Sequence, residues 1–90
     1  MIPENRKPTH PGEILWEEFL KPKDMSQVEL AQRLKVPVQR INTLINGKRG
    51  VTPETAILLS RVFKNSPEFW MNLQSVYDLY EAKQSIDRAA

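Results

Sequence analysis

The sequence predicts an all-α chain, a five-helix bundle whose last helix is extended. Three observations predict it. Apolar residues recur at three- and four-residue spacing through most of the 90 positions. Helix starts are written as Ser26 with Glu29, Thr52-Pro53-Glu54 and Ser66-Pro67-Glu68. From Phe69 the helical spacing continues to about Ile86, longer than a bundle of this size needs for its own core.

Residues 1–10, MIPENRKPTH, have prolines and no apolar period and read as an extended arm, with residues 11–90 as the folded domain. The first helix begins near Pro11 or Gly12 and runs to about Leu20, where Pro22 stops it. Its apolar residues are Ile14, Leu15, Phe19 and, at the helix end, Leu20, with Glu13, Glu17 and Glu18 acidic. Trp16 falls one position off the Leu15–Phe19 stripe, either as a core flank or as a contact for another chain.

Ser26 and Glu29 form a capping box in which each side chain satisfies a free backbone N–H. Val28, Leu30, Ala31 and Leu34 are the apolar residues of this second helix, and Ala31 is small enough for a close crossing. Val36 plugs the turn, and Pro37 fixes the chain as the third helix starts. Ile41 and Leu44 point inward. The fourth helix, capped by Thr52, carries Ala56, Leu59, Ser60 and Phe63 on one face, and the fifth (about 67–86) carries Phe69, Leu73, Val76 or Tyr77, and Tyr80. The outer part of that helix either frays after Tyr80 or offers a dimer or partner surface. Trp70, Tyr77, Tyr80 and Ile86 are the candidate residues.

Two helices joined by a tight turn, the second ending in Asn-Gly-Lys-Arg, make a helix-turn-helix, whose second helix fits the DNA major groove. Base reading falls to Gln39 and Asn42, whose amides pair bidentately with adenine. Val38 and Thr43 touch thymine methyls, and Arg40 reaches guanine or a phosphate. Phosphates are clamped by Gln27 at the start of the second helix, and by Asn46, Lys48 and Arg49 after the third. Lys35 stands where a turn residue often has positive φ and glycine is usual. The lysine costs about 1 kcal/mol there and adds a phosphate contact. One such helix covers only a few base pairs, so a useful affinity requires a homodimer.

Composition narrows the alternatives. The chain has no cysteine and a single histidine, His10, so a zinc site or a Cys–His catalytic pair cannot be built in one chain, and no metal or other cofactor is expected. No apolar run is long enough for a membrane span, and the polar first ten residues do not read as a signal peptide. Between Arg33 and Lys64 stand seven bases and one acid, Glu54, whereas the rest of the chain has six bases and ten acids. A basic middle with acidic flanks suits a DNA-binding module joined to a protein-binding surface. Glu13, Glu17 and Glu18 have no histidine or Gly-rich loop to work with, so they read as a solvated face and the chain as no enzyme.

HPGEILWEEFLKP at residues 10–22, the stretch 26–63 and SPEFWMNLQSVYDL at 66–79 closely resemble the HigA family of antitoxins, lambda-repressor-like helix-turn-helix regulators. The resemblance implies a cytoplasmic homodimer on a palindromic double-stranded DNA operator in its own promoter. It also implies neutralisation of a HigB-type toxin, a ribosome-dependent mRNA endonuclease. A basic toxin would meet the first helix's acids or Asp78, Glu81 and Asp87. The alternative reading is a stand-alone, prophage-like repressor with no toxin.

Overall fold

A computed structural model describes residues 7–89, and among these the chain is helices and connecting turns. Residues 1–6 of the expected arm lie outside the described residues. Helix α1 (Pro11–Ile14) runs on without a break as a π-helical segment over Leu15–Leu20. It is followed by α2 (Gln27–Leu34), α3 (Val38–Ile45), α4 (Pro53–Phe63) and α5 (Pro67–Ala89).

The HPGE opening acts through three residues. His10 Nδ1 accepts the Gly12 backbone N–H at 2.9 Å, Pro11 takes the first helical position, and Gly12 lies against α3. A Cβ on Gly12 would collide with the Leu44 carbonyl, so α1 crosses α3 at a distance only glycine permits. The π segment then departs from the expected register. Five residues span about 1.4 turns of an α-helix, which would put Leu20 nearly opposite Leu15. The wider π turn, closed by Lys21 N–H to the Trp16 carbonyl at 2.9 Å, buries both completely. Phe19 becomes a flank and Trp16 stays 36% exposed.

Ser26 caps α2 as expected, accepting from Glu29 N–H at 3.0 Å, but the reciprocal half of the box is replaced. Glu29 pairs instead with Arg33 at 2.9 Å. Of the apolar residues of α2, Val28 faces solvent at 54% exposure, and Leu30, Ala31 and Leu34 make the buried face. Lys35 closes α2 in the left-handed conformation with φ 59°, while Val36 N–H bonds the Ala31 carbonyl at 3.0 Å. Thr52 and Ser66 cap α4 and α5 by accepting from Thr55 N–H and Phe69 N–H.

The core lies where the π segment and α2, α3, α4 and α5 converge on Leu15, Leu20, Leu30, Ile41, Leu44, Leu59 and Trp70. Trp70 corrects the sequence reading. It is fully buried, its ring 5.0 Å from Phe19 and its Nε1–H given to Asn65 Oδ1 at 2.9 Å, so it belongs to the interior and not to a partner surface. The inner face of α5 is therefore turned by one residue from the expected stripe, with Trp70 and Gln74 buried and Phe69 at the edge. Tyr77, another candidate for the outer surface, is half-covered by residues of the arm. The His10 ring stands edge-on to it at 4.8 Å, and Lys7 Nζ lies 5.5 Å from its centroid.

His10 makes the α1 start sensitive to pH. Burial lowers its pKa from the ordinary 6.5, with Lys7 acting in the same direction and Asp78 and Glu13 opposing. The unfolded chain thus binds the proton more readily. The His10 contribution is complete above pH 6.5 and is lost as pH falls through that value towards the lower folded pKa. Thermal unfolding should shift to lower temperature between pH 7.5 and 5, and His10→Asn, which keeps an N-cap acceptor, should flatten that dependence. Lys35→Gly should raise the urea midpoint by the equivalent of up to about 1 kcal/mol, by relieving the left-handed backbone.

Candidate nucleic-acid interface

Helix α3 is eight residues long and amphipathic. Ile41 and Leu44 are buried at 1% exposure each, which turns Val38, Gln39 and Asn42 outward, Val38 with 44% of its surface in solvent. Thr43 is half-buried at the edge of this face, its hydroxyl donating to the Arg40 carbonyl at 3.2 Å. The outward side is thus a short strip of one valine and polar side chains, open along its length.

Three of the sequence-chosen residues are joined in a single chain of side-chain amides. Asn46 Nδ2 donates to Asn42 Oδ1 and Asn42 Nδ2 donates to Gln27 Oε1, both at 3.2 Å. The first residue of α2, the middle of α3 and the α3 C-cap therefore share one surface. Gln27 has an oxygen engaged and keeps amide donors of the kind that phosphate accepts.

The basic loop follows directly. Gly47 takes φ 75°, and Lys48 N–H bonds the Thr43 carbonyl at 2.9 Å, which satisfies the end of α3 and leaves the Lys48 and Arg49 side chains exposed. Lys35 is exposed at the opposite end of α3.

Arg40 has partners within the protein that the sequence reading did not include. Its Nη2 donates to Glu54 Oε1 at 2.8 Å and to Thr55 Oγ1 at 3.0 Å, across to the first turn of α4. Glu54 and Thr55 were missed from sequence, although Glu54 is the single acid in the basic middle. Gln74 was missed as well. Buried at 8% exposure, it accepts the Val51 N–H at 2.7 Å and donates to Asp78 Oδ1 at 2.8 Å, fastening the loop after Arg49 to α5. Gly50 makes room for it, since a Cβ there would come within 2.8 Å of Gln74 Oε1. The remaining surface candidates lie far along α5, with Tyr80 half-buried and Ile86 69% exposed.

A bare polar side on the second of two tightly joined helices, beside a basic loop at its end, defines a helix-turn-helix protein of the DNA-binding kind. The helix-turn-helix family model matches residues 17–70. Virulence-associated protein I of Dichelobacter nodosus is 47% identical over 83% of this chain and 69% of its own length. Antitoxin HigA-1 of Vibrio cholerae is 37% identical over 94% of this chain and 80% of its own. Among solved structures, the Pseudomonas aeruginosa antitoxin HigA with the higBA promoter superposes with TM-score 0.87 at 44% identity, over 91% of this chain and 89% of that one. The chain belongs to the HigA family of helix-turn-helix antitoxins.

Gln74→Leu leaves the buried Val51 N–H without an acceptor and should destabilise the fold by about 1–3 kcal/mol, read as a lower urea midpoint at unchanged slope.

Proposed function

We propose that this chain is the antitoxin of a type II toxin–antitoxin pair which, as a homodimer, binds a palindromic operator in its own promoter and represses it. The observation that carries the reading is the exposed, polar outward side of α3, set between the Gln27–Asn42–Asn46 chain and the basic loop. The likeness to the Pseudomonas aeruginosa antitoxin HigA solved with the higBA promoter supports it. Gln39 and Asn42 read adenine edges, Val38 and the Thr43 methyl touch thymine, and Gln27, Asn46, Lys48, Arg49 and Lys35 clamp phosphate. Two copies of α3 about 34 Å apart enter successive major grooves. The part of α5 beyond Tyr77, with Tyr80 and Ile86, carries the contact with a second copy or a partner.

Neutralisation of a HigB-type endonuclease is supported by family membership and by the acids placed away from the reading strip. Glu13, Glu17 and Glu18 lie exposed on α1 and its π extension, and Asp78, Glu81 and Asp87 lie exposed on α5. A basic RNA-cleaving partner is complementary to both sets. Neither DNA binding nor toxin masking requires chemistry from this chain, so we place it among regulators rather than enzymes, working in the cytoplasm.

The test uses the duplex that precedes the chain's own coding sequence and a random duplex of equal length. The three cationic clamps of each protomer, Lys35, Lys48 and Arg49, give a log–log salt slope of about −5 for the dimer. A slope near −1 would remove the clamp. Gln39→Ala should cost about 1–3 kcal/mol on the upstream duplex and much less on the random one. Equal losses on both would mean that Gln39 only positions the protein.

A further inference from the structure

Glu54 is the lone acid among seven bases between Arg33 and Lys64, and the structure gives that acid a specific partner. Its Oε1 accepts from Arg40 Nη2 at 2.8 Å, and Thr55 Oγ1 accepts from the same nitrogen at 3.0 Å. Thr55 is itself held by Thr52, the α4 N-cap, through a hydroxyl–hydroxyl contact of 3.1 Å, so the cradle for the guanidinium is part of the start of α4. Exposure is unequal across the pair. The Arg40 side chain keeps 25% of its surface in solvent and that of Glu54 keeps 72%. Arg40 also lines an open groove with Pro37, Gln39, Thr43 and Arg49, the groove that borders the reading strip.

From this geometry we infer that Glu54 sets DNA specificity by holding Arg40 as an internal stand-in for phosphate, which keeps one cation out of the clamp on arbitrary sequences. The inference rests on the DNA-binding reading above. Carboxylate and phosphate engage a guanidinium through the same N–H fork, so a duplex recruits Arg40 only by displacing Glu54. The hold is exchangeable, because an ion pair with one partner this exposed contributes little.

Phosphate contacts are common to all sequences, and base contacts are not. On the operator, Gln39 and Asn42 fix the register, and a freed Arg40 gains only what that register allows. A random duplex imposes no register, so the protein slides to wherever the extra cation is best used. Releasing Arg40 therefore favours random DNA more than operator, and Glu54 keeps the two apart.

Glu54→Gln retains the size of the side chain and an acceptor but removes its charge. It is compared with wild type on the upstream duplex and on a random duplex across a salt series, with thermal unfolding as a check on folding. We expect affinity for the random duplex to rise about threefold or more, and the salt slope to steepen by about 0.9 for each protomer's added phosphate contact. The operator-to-random ratio should fall. In an Arg40→Ala background these changes should vanish.

Weaker operator binding by Glu54→Gln would overturn the inference, since Glu54 would then be aiming Arg40 at DNA. Unchanged slope and ratio would overturn it too, as would an equal gain in the Arg40→Ala background, which marks plain charge repulsion. Wild-type protein that binds neither duplex overturns the DNA-binding reading instead.

Discussion

The structure depends on the burial of Ile41 and Leu44. An isolated helix of eight residues does not persist in water, so α3 exists only because its inner side is gripped by the rest of the chain. Each neighbour grips it differently. Gly12 lets the α1 backbone lie against the Leu44 carbonyl, and the buried face of α2 with Ala31 packs beside it. Val36 packs against the core at the turn before it, and Gln74 fastens the loop beyond its end to α5. Each attachment lies at a different point on the helix, so α3 is fixed in rotation as well as in place. That fixed rotation keeps Gln39 and Asn42 outward.

Most of this frame was legible because it rests on local rules. Ser26, Thr52 and Ser66 cap helices as their side chains and following residues dictate, and Lys35 takes the positive φ that the turn demands. What was not legible depends on a register or a partner that no local rule specifies. The π turn over Leu15–Leu20 changes the period under which Leu20 and Trp16 are assigned to faces, and one residue of rotation in α5 exchanges Phe69 for Trp70 in the core. The roles of Glu54 and Gln74 arise from contacts 14 and 23 residues away in sequence. A signal for both was nonetheless present, as the single acid of a basic segment and as the glutamine of the SPEFWMNLQ stretch.

Among the described residues no buried side-chain polar atom lacks a hydrogen-bond partner. In a chain of 90 residues this matters, because a small core leaves little stability to offset an unpaired polar group. The same economy extends to the surface around α3. Gln27, Asn42 and Asn46 bond one another. DNA would meet side chains already held near a single arrangement, so less rotamer freedom remains to be lost on binding than in a strip of free amides.

The outward side of α3 also divides into two kinds of residue. Val38 and Gln39 are exposed and no described hydrogen bond or ion pair ties their side chains to the core, so their replacement alters what the strip presents without loosening what holds it. Arg40 and Thr43 are half-buried and bonded within the protein, Arg40 across to α4 and Thr43 to its own helix. A change at either disturbs the support and the surface together. Asn42 lies between these cases, exposed yet bonded to both Gln27 and Asn46. On the proposed reading, the freedom to vary sequence preference is therefore concentrated in the first turn of α3, at Val38 and Gln39. The residues towards α4 and the basic loop are constrained by the fold that aims them.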